Sequence, residues 1–177
     1  IDEPRLASLL DLVALGTVAD VVPLDLNNRR LVHHGLSQIK QEKCQIGLLA
    51  LLKAAGKTAQ HVTSNDLGFV LGPRLNAAGR LSDMSLGIEC LLSDDPEKCL
   101  EMALELTRLN EERRDIESEM KEHAFGLISE VIGESGSNDR PSAFSVFHKD
   151  WHQGVVGIVA ARIKDRFHRP SIAFALV

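Results

Sequence analysis

The sequence has 177 residues, 44% of them hydrophobic and 25% charged, which excludes a disordered chain, a collagen-like repeat and a disulfide scaffold. With 20 Lys and Arg against 25 Asp and Glu, the formal charge of −5 argues against a surface that holds nucleic acid mainly by neutralising phosphates, so most of any such grip would have to lie outside this chain. Three cysteines without a CxxC pair, Cys44, Cys90 and Cys99, write neither a disulfide framework nor a zinc knuckle and read as buried cytosolic thiols.

The longest strongly apolar run, residues 6–15, is interrupted by Ser8 and Asp11 and is much shorter than the roughly 20 residues a bilayer requires, so no membrane partner is expected. The start has no initiator Met and no basic leader, and the end is an uncapped apolar stretch, 171–177, which reads as an excised internal fragment.

In chain order, Asp2 and Pro4 resemble an N-cap with Pro in the first turn, opening an apolar helix, LASLLDLVALGTVADVV, that stops at Pro23; a strand over LDLVAL is the alternative. Asn27 and Asn28 signal a turn and cap before a helix over RRLVHHGLSQIK, and IGLLALLKAAG repeats the helical pattern up to Gly56. Ser64 or Asn65 can cap a short helix, DLGFVL, ended by Gly72 and Pro73; a Gly-rich segment, GPRLNAAGRLSD, and a short helix, SLGIECLL, follow.

One long helix is predicted from Asp95 to about Ile132, with Asp94 or Asp95 as N-cap and Pro96 in the first helical position. Met102, Leu106, Leu109, Arg113, Ile116, Met120, His123 and Leu127 form a heptad stripe with two polar interruptions, which packs on its own protein or, alternatively, forms a coiled-coil interaction module. At ~1.5 Å per residue such a helix outspans a small domain and should bridge two bodies. Residues 133–142 have linker composition, and beyond them a strand (AFSVFH), a turn (WHQG), a helix (VVGIVAARIKDRF) and a strand (SIAFALV) make a β-α-β unit. The fold class is therefore α/β, with domains at 1–93, a connecting helix at 94–134, a linker at 135–142 and a second domain beginning at 143–177.

Asp11 and Asp20 are the only carboxylates in the first apolar stretch, and each needs a cation, a hydrogen bond or a proton there. On a helix nine residues turn by ~180° and rise by ~13 Å, so the two cannot share one metal. Asp20, at the end of the run, can face a cleft or merely cap the element, and one carboxylate is too little for Mg²⁺ or Mn²⁺. His33 and His34 point ~100° apart on a helix, one surface and one partly buried, and read as structural. Arg74, Asn76 and Arg80 stand among small residues that let a ligand come close, either as phosphate contacts or as structural salt bridges. His152 and Gln153 precede a helix start, which favours an anion, and Arg162, Lys164, Arg166 and Arg169 form a basic stretch that is either a solvated face or a strand-binding surface.

Taken together, LLDLVALGTVADVVPL, DLGFVLGPRLNAAGRL and WHQGVVGIVAARIKDRFHRPSIAFA closely resemble the bacterial RecJ family of single-stranded-DNA-specific exonucleases in the DHH phosphoesterase superfamily. The resemblance implies the mostly helical C-terminal part of a DHH domain, a long connecting helix and the start of a DHHA1 domain. It makes Asp20, in GTVAD, a ligand and catalytic residue of a Mn²⁺ or Mg²⁺ centre, with Asp11 the less favoured register. It makes Arg74, Asn76, Arg80, His152 and Gln153 contacts to DNA. The DHH triplet, the N-terminal Asp-rich motifs, a GGH motif and an OB domain do not occur here, so the fragment by itself should be inactive. Implied further are 5′-to-3′ release of mononucleotides in cytoplasmic DNA repair and recombination, single-stranded DNA as partner, a cooperating helicase and single-strand-binding protein, and a monomeric whole enzyme. A DHH phosphoesterase acting on short oligonucleotides or cyclic dinucleotides is the alternative within the superfamily.

Overall fold

The apolar N-terminal stretch winds as a 3₁₀ turn, Leu6–Leu9, and then as helix α1, Leu10–Ala19, so helix rather than strand is its structure. The computed structural model describes residues 6–134 and 141–176; the expected cap at Asp2 and Pro4 and most of the expected linker lie outside them. Helix α2, Leu26–Lys40, is capped by Asp25, two residues before the Asn27 and Asn28 signal. Asp25 is extended and its carboxylate accepts the Asn28 N–H at 2.8 Å, a negative cap on the positive end of the helix. Helix α3, Ile46–Ala54, ends as expected at Gly56, whose φ of 68° is the left-handed geometry that glycine adopts without steric cost.

The next segment departs from expectation. A capping box at Thr63 starts α4, Ser64–Asp66, rather than Ser64 or Asn65 capping it. The chain then runs through a π turn, Leu67–Leu71, straight into α5, Gly72–Leu81, so the Gly72 and Pro73 pair does not end a helix and GPRLNAAGR is itself helical. The π turn accounts for this. The Gly72 N–H reaches back five residues to the Leu67 carbonyl, and Pro73, which has no N–H to give, sits in the first turn of α5, where none is required. Helix α6, Ser85–Leu92, follows.

Helix α7, Pro96–Glu134, is one element of 39 residues, and Asp95 caps it by accepting the N–H groups of Glu97 and Lys98 at 3.0 and 3.3 Å. The chain divides into two compact units, Ile1–Asn110 and Glu111–Val177, with the division inside α7. In the first, Leu106 and Leu109 of the stripe join a core built from Leu48, Leu51, Leu67, Leu71 and Leu75. In the second, Ala124 and Ile128, which lie beside the stripe, are buried, and so is Met120 of the stripe itself. These stripe residues are thus spent inside the chain, which leaves little for a coiled coil with another molecule. Both polar interruptions have partners: Arg113 pairs with Glu117 at 2.7 Å, and the His123 ring stands edge-on to His148 at 4.4 Å and to Trp151 at 5.8 Å.

The second unit carries the expected β-α-β unit. Strands β1, Phe144–Phe147, and β2, Ser171–Phe174, pair in parallel with Phe144 opposite Ser171, and α8, Val156–Phe167, connects them. On β1 the period of two puts Phe144 and Val146 inside and Ser145 and Phe147 outside. Among the described residues no helix is long and apolar enough to cross a membrane.

The contacts made by two glycines give a paired prediction. A Cβ on Gly35 of α2 would run into the Leu10 carbonyl oxygen and come within 2.5 Å of Ala14 Cβ on α1, whereas one on Gly126 of α7 would meet nothing within 4 Å. Gly35→Ala is expected to lower unfolding stability by more than about 2 kcal/mol because backbone must move. Gly126→Ala should raise it by up to about 1 kcal/mol from helix propensity. Urea titration followed by circular dichroism measures both; an unchanged midpoint for Gly35→Ala would contradict the close α1/α2 contact.

Candidate functional site

Asp20 closes α1, and the way the helix stops determines where its carboxylate stands. The Val22 N–H donates to the Thr17 carbonyl at 3.0 Å and the Val21 N–H to the Val18 carbonyl at 3.2 Å, the paired bonds of a Schellman ending. That ending requires a left-handed residue, and here it is Val21, with φ of 55°. A β-branched residue in this region is strained by roughly 1–2 kcal/mol, and such strain gathers at functional sites. Asp20 itself is exposed, with its N–H bonded to the Gly16 carbonyl at 3.0 Å. A carboxylate at the negative end of a helix dipole is electrostatically unfavourable until a cation joins it.

Asp11 is different in kind. It is fully buried, one carboxylate oxygen accepts the Leu12 N–H at 2.7 Å and the other accepts the Gln45 N–H at 2.6 Å. Gln45 is the N-cap residue of α3, so Asp11 ties α1 to the start of α3 and has its oxygens engaged. Beside it, burial first and then the charges of Asp11 and Glu42 push the Cys44 thiol up to about 12, which leaves it protonated and unreactive at neutral pH.

Asp20 lines a groove of about 300 Å³ together with Gly16, Ala19, Gly72, Asn76, Met84 and Ile88. Gly72 makes the approach of α5 possible: a Cβ there would lie 3.0 Å from Ala19 Cβ. Asn76 and Arg80 are both exposed and one helical turn apart, hence on one face of α5. Arg74 lies off that face. Its Nε donates to Thr107 Oγ1 at 3.1 Å and its Nη1 to the Val70 carbonyl at 2.7 Å, which binds α5 to α7 and to the π turn. The structure therefore brings Asp20 and Asn76 together with Arg80 on the same helix face, and directs Arg74 to a packing role.

His152 and Gln153 belong to the second unit. His152 is half-buried with Nδ1 accepting the Gly154 N–H at 3.1 Å, which orders the turn before α8, while Gln153 is exposed. His33 and His34 are both exposed, with ring centroids 5.7 Å apart, so neither is partly buried as expected. In the basic stretch, Arg162 pairs with Glu117, Lys164 with Asp165, Arg166 stacks over Phe125 with its guanidinium carbon 5.3 Å from the ring centroid, and Arg169 donates to the His168 carbonyl.

Over 173 residues, 98% of its length, the chain is 54% identical to the single-stranded-DNA-specific exonuclease RecJ of Dickeya dadantii (strain 3937). Over nearly its whole length the chain is thus similar to a segment of RecJ. It spans 30% of the length of that relative. Among solved structures, exonuclease RecJ bound to manganese superposes with a TM-score of 0.83 at 33% identity, covering 98% of this chain and 42% of that one. RecJ from Thermus thermophilus in complex with Mg²⁺ gives 0.81 at 34% identity, covering 97% of this chain and 26% of that one. No family model matches the sequence.

RecJ relatives thus carry Mn²⁺ and Mg²⁺, which take oxygen ligands. Among the described residues of this chain no three His, Cys, Asp or Glu side chains gather. The groove by itself therefore does not fit a divalent ion, although Asp20 is of the right donor type for one position.

Asp66 supports the same helical run. Its carboxylate accepts from Thr63 N at 2.9 Å and Thr63 Oγ1 at 2.7 Å and pairs with Lys57 at 3.1 Å, and the Thr63 hydroxyl chiefly, with Lys57, holds its pKa below the usual carboxylate value. A lowered folded pKa adds stability that is present above the ordinary carboxylate range and lost as pH falls through the folded value. Asp66→Asn should cost about 1 kcal/mol at pH 7, the worth of a helix cap, and the difference should shrink as thermal melts are taken to lower pH. Separately, Val21→Gly should raise stability by about 1 kcal/mol by relieving the left-handed strain; a melt showing a loss instead would remove the strain argument.

Proposed function

We propose that the chain forms part of a metal-dependent exonuclease that hydrolyses phosphodiester bonds of single-stranded DNA, and that Asp20 supplies one oxygen ligand to its metal centre. The observation that carries this reading is the placement of Asp20 at a strained helix end, with an exposed carboxylate beside Asn76, in a chain 54% identical to an exonuclease of that description. The electrostatics support it, since a cation would relieve the repulsion between the Asp20 carboxylate and the negative end of α1. The other ligands lie outside this segment, so the isolated chain is inactive.

Within this reading the divalent ion, Mn²⁺ or Mg²⁺, supplies charge stabilisation and an activated water when bound. Asp20 holds one of its positions. Asn76 and Arg80, on the adjoining face of α5, contact the strand. Arg74, His152 and Gln153 remain candidate contacts, Arg74 through the helix packing it secures. The domain scheme is that of the sequence reading, with a DHH part at 1–93, the connecting helix at 94–134, a linker at 135–142 and a DHHA1 part from 143. The finer biology also belongs to the proposal: 5′-to-3′ polarity, a role in repair and recombination, a helicase and a single-strand-binding protein as partners, a cytoplasmic location and a monomeric whole enzyme.

Grafting this segment in place of the matching 30% of the Dickeya enzyme provides the test. With Mn²⁺, the graft should degrade single-stranded DNA in preference to duplex, and Asp20→Ala should lower the rate by at least about 100-fold. Asp11→Asn should instead lower the melting temperature and leave the metal dependence unchanged, because its oxygens serve backbone N–H groups. Full activity in the Asp20→Ala graft would refute the ligand assignment.

A further inference from the structure

The unit Ile1–Asn110 contains a single Phe and no Trp or Tyr, and it leaves that one ring outside its core. Phe69, in the π turn, is 77% exposed. In the second unit, by contrast, Phe125, Phe144 and Phe167 pack ring against ring. The run from the π turn into α5 shows why the first ring points outward. Leu67, Leu71, Leu75 and Ala78 enter the core, and Gly68 and Gly72 face α1, where a Cβ would stand 3.2 Å from Val18 and 3.0 Å from Ala19. Arg74 turns to Thr107. The positions of the run left exposed from there on are Phe69, Asn76, Gly79 and Arg80. The ring therefore belongs to the outer side of the run that carries Asn76 and Arg80, and the residue before it, Gly68, touches α1 two residues ahead of Asp20. π turns gather at functional sites for the same reason, since they redirect a side chain that a regular helix would bury.

A phenyl ring held in water offers a flat apolar face and no hydrogen bond. A base of a single strand has a π face free to lie on it, whereas in a duplex the neighbouring base pairs of the stack cover both faces of every base. One aromatic plane beside amide and guanidinium donors is thus a surface that discriminates by strand state and not by base sequence. We infer that Phe69 is a specificity-determining residue, which stacks on one unpaired base and so favours single-stranded over duplex DNA. The inference rests on the nuclease reading above and adds to it the side chain that tells the two substrates apart. A protein surface laid over Phe69 would need only an apolar contact, which an aliphatic side chain of similar size serves equally well.

The graft into the Dickeya enzyme is the test system. With Mn²⁺ and single-stranded oligothymidylate, Phe69→Ala and Phe69→Leu should each raise KM about tenfold with kcat little changed, while Phe69→Trp keeps the KM of the unsubstituted graft. On duplex DNA the KM of Phe69→Ala should not move, so its preference for single strands falls by the same factor. When one abasic position is walked along a ten-nucleotide strand and binding is measured without metal, the unsubstituted graft should lose about tenfold in affinity at one position, and Phe69→Ala should lose nothing there. The melting temperatures of all four proteins should agree, because the ring is outside the core. Three results overturn the inference while the nuclease reading stands: an unchanged KM for Phe69→Ala, a Phe69→Leu graft that behaves as the unsubstituted one and so reports an aliphatic contact, or a lowered melting temperature for Phe69→Ala, which reports a packed ring. A graft that fails to degrade single strands with Phe69 in place removes the nuclease reading and this inference with it.

Discussion

The position of α1 rests on backbone contact, and the rest of the first unit depends on it. At Gly35, Gly68 and Gly72 a Cβ would meet, in turn, the Leu10 carbonyl, Val18 and Ala19, so the start of α1 touches α2 and its end touches the run from the π turn into α5. Close packing of this type transmits displacement rather than absorbing it. A shift of α5 by even a methyl group would be felt at Ala19, and hence at the next residue, Asp20. The two aspartates of α1 divide the consequences between them: Asp11 fixes the helix to α3 from within the core, and Asp20 stands exposed where the helix stops.

Much of this architecture was legible in the sequence because it is encoded locally. The period of 3.6 residues marks α2, α3, α6 and α7, the Asp95 and Pro96 pair marks the start of the longest helix, and Gly56 marks the end of α3. The β-α-β unit was legible for the same reason, through the change of period at residue 143. The GPRLNAAGR segment was not, since a Gly-Pro pair reads as a helix stop unless a π turn ahead of it rearranges the hydrogen bonds. Val21 was not either. Stop signals in sequence are sought as glycine, and a valine in the left-handed region has no signature beyond its neighbours.

The candidate site was legible in its residue types but not in its geometry. Asp11 and Asp20 were both conspicuous as carboxylates in an apolar run, with Asp20 favoured because it closes the run and Asp11 lies within it. What separates them is a backbone donor at Gln45, supplied by a turn far along the chain. Arg74 and Arg80 look like a pair of phosphate ligands in GPRLNAAGR, yet the helical rotation between them puts one against Thr107 and the other on the face of Asn76. Arg113 looked like a flaw in a hydrophobic stripe, and its explanation, Glu117 shared with Arg162, required the fold of the second unit.

The groove at Asp20 is mostly apolar, with Asp20 the only carboxylate in its lining, whereas the cavity that Glu117 lines with Arg113, Arg114, Lys121 and Arg162 is mostly cationic. Neither composition makes a self-sufficient catalytic centre. A lone carboxylate at the end of a helix is poorly placed without a cation, whereas Arg113 and Arg162 share Glu117. The Asp20 carboxylate, at the negative end of α1, has no charge of opposite sign among the residues that line its groove. A segment spanning 30% of the length of its relative can retain such unsatisfied charge because the burial of the leucine core, not the balance of its sites, holds its first unit folded.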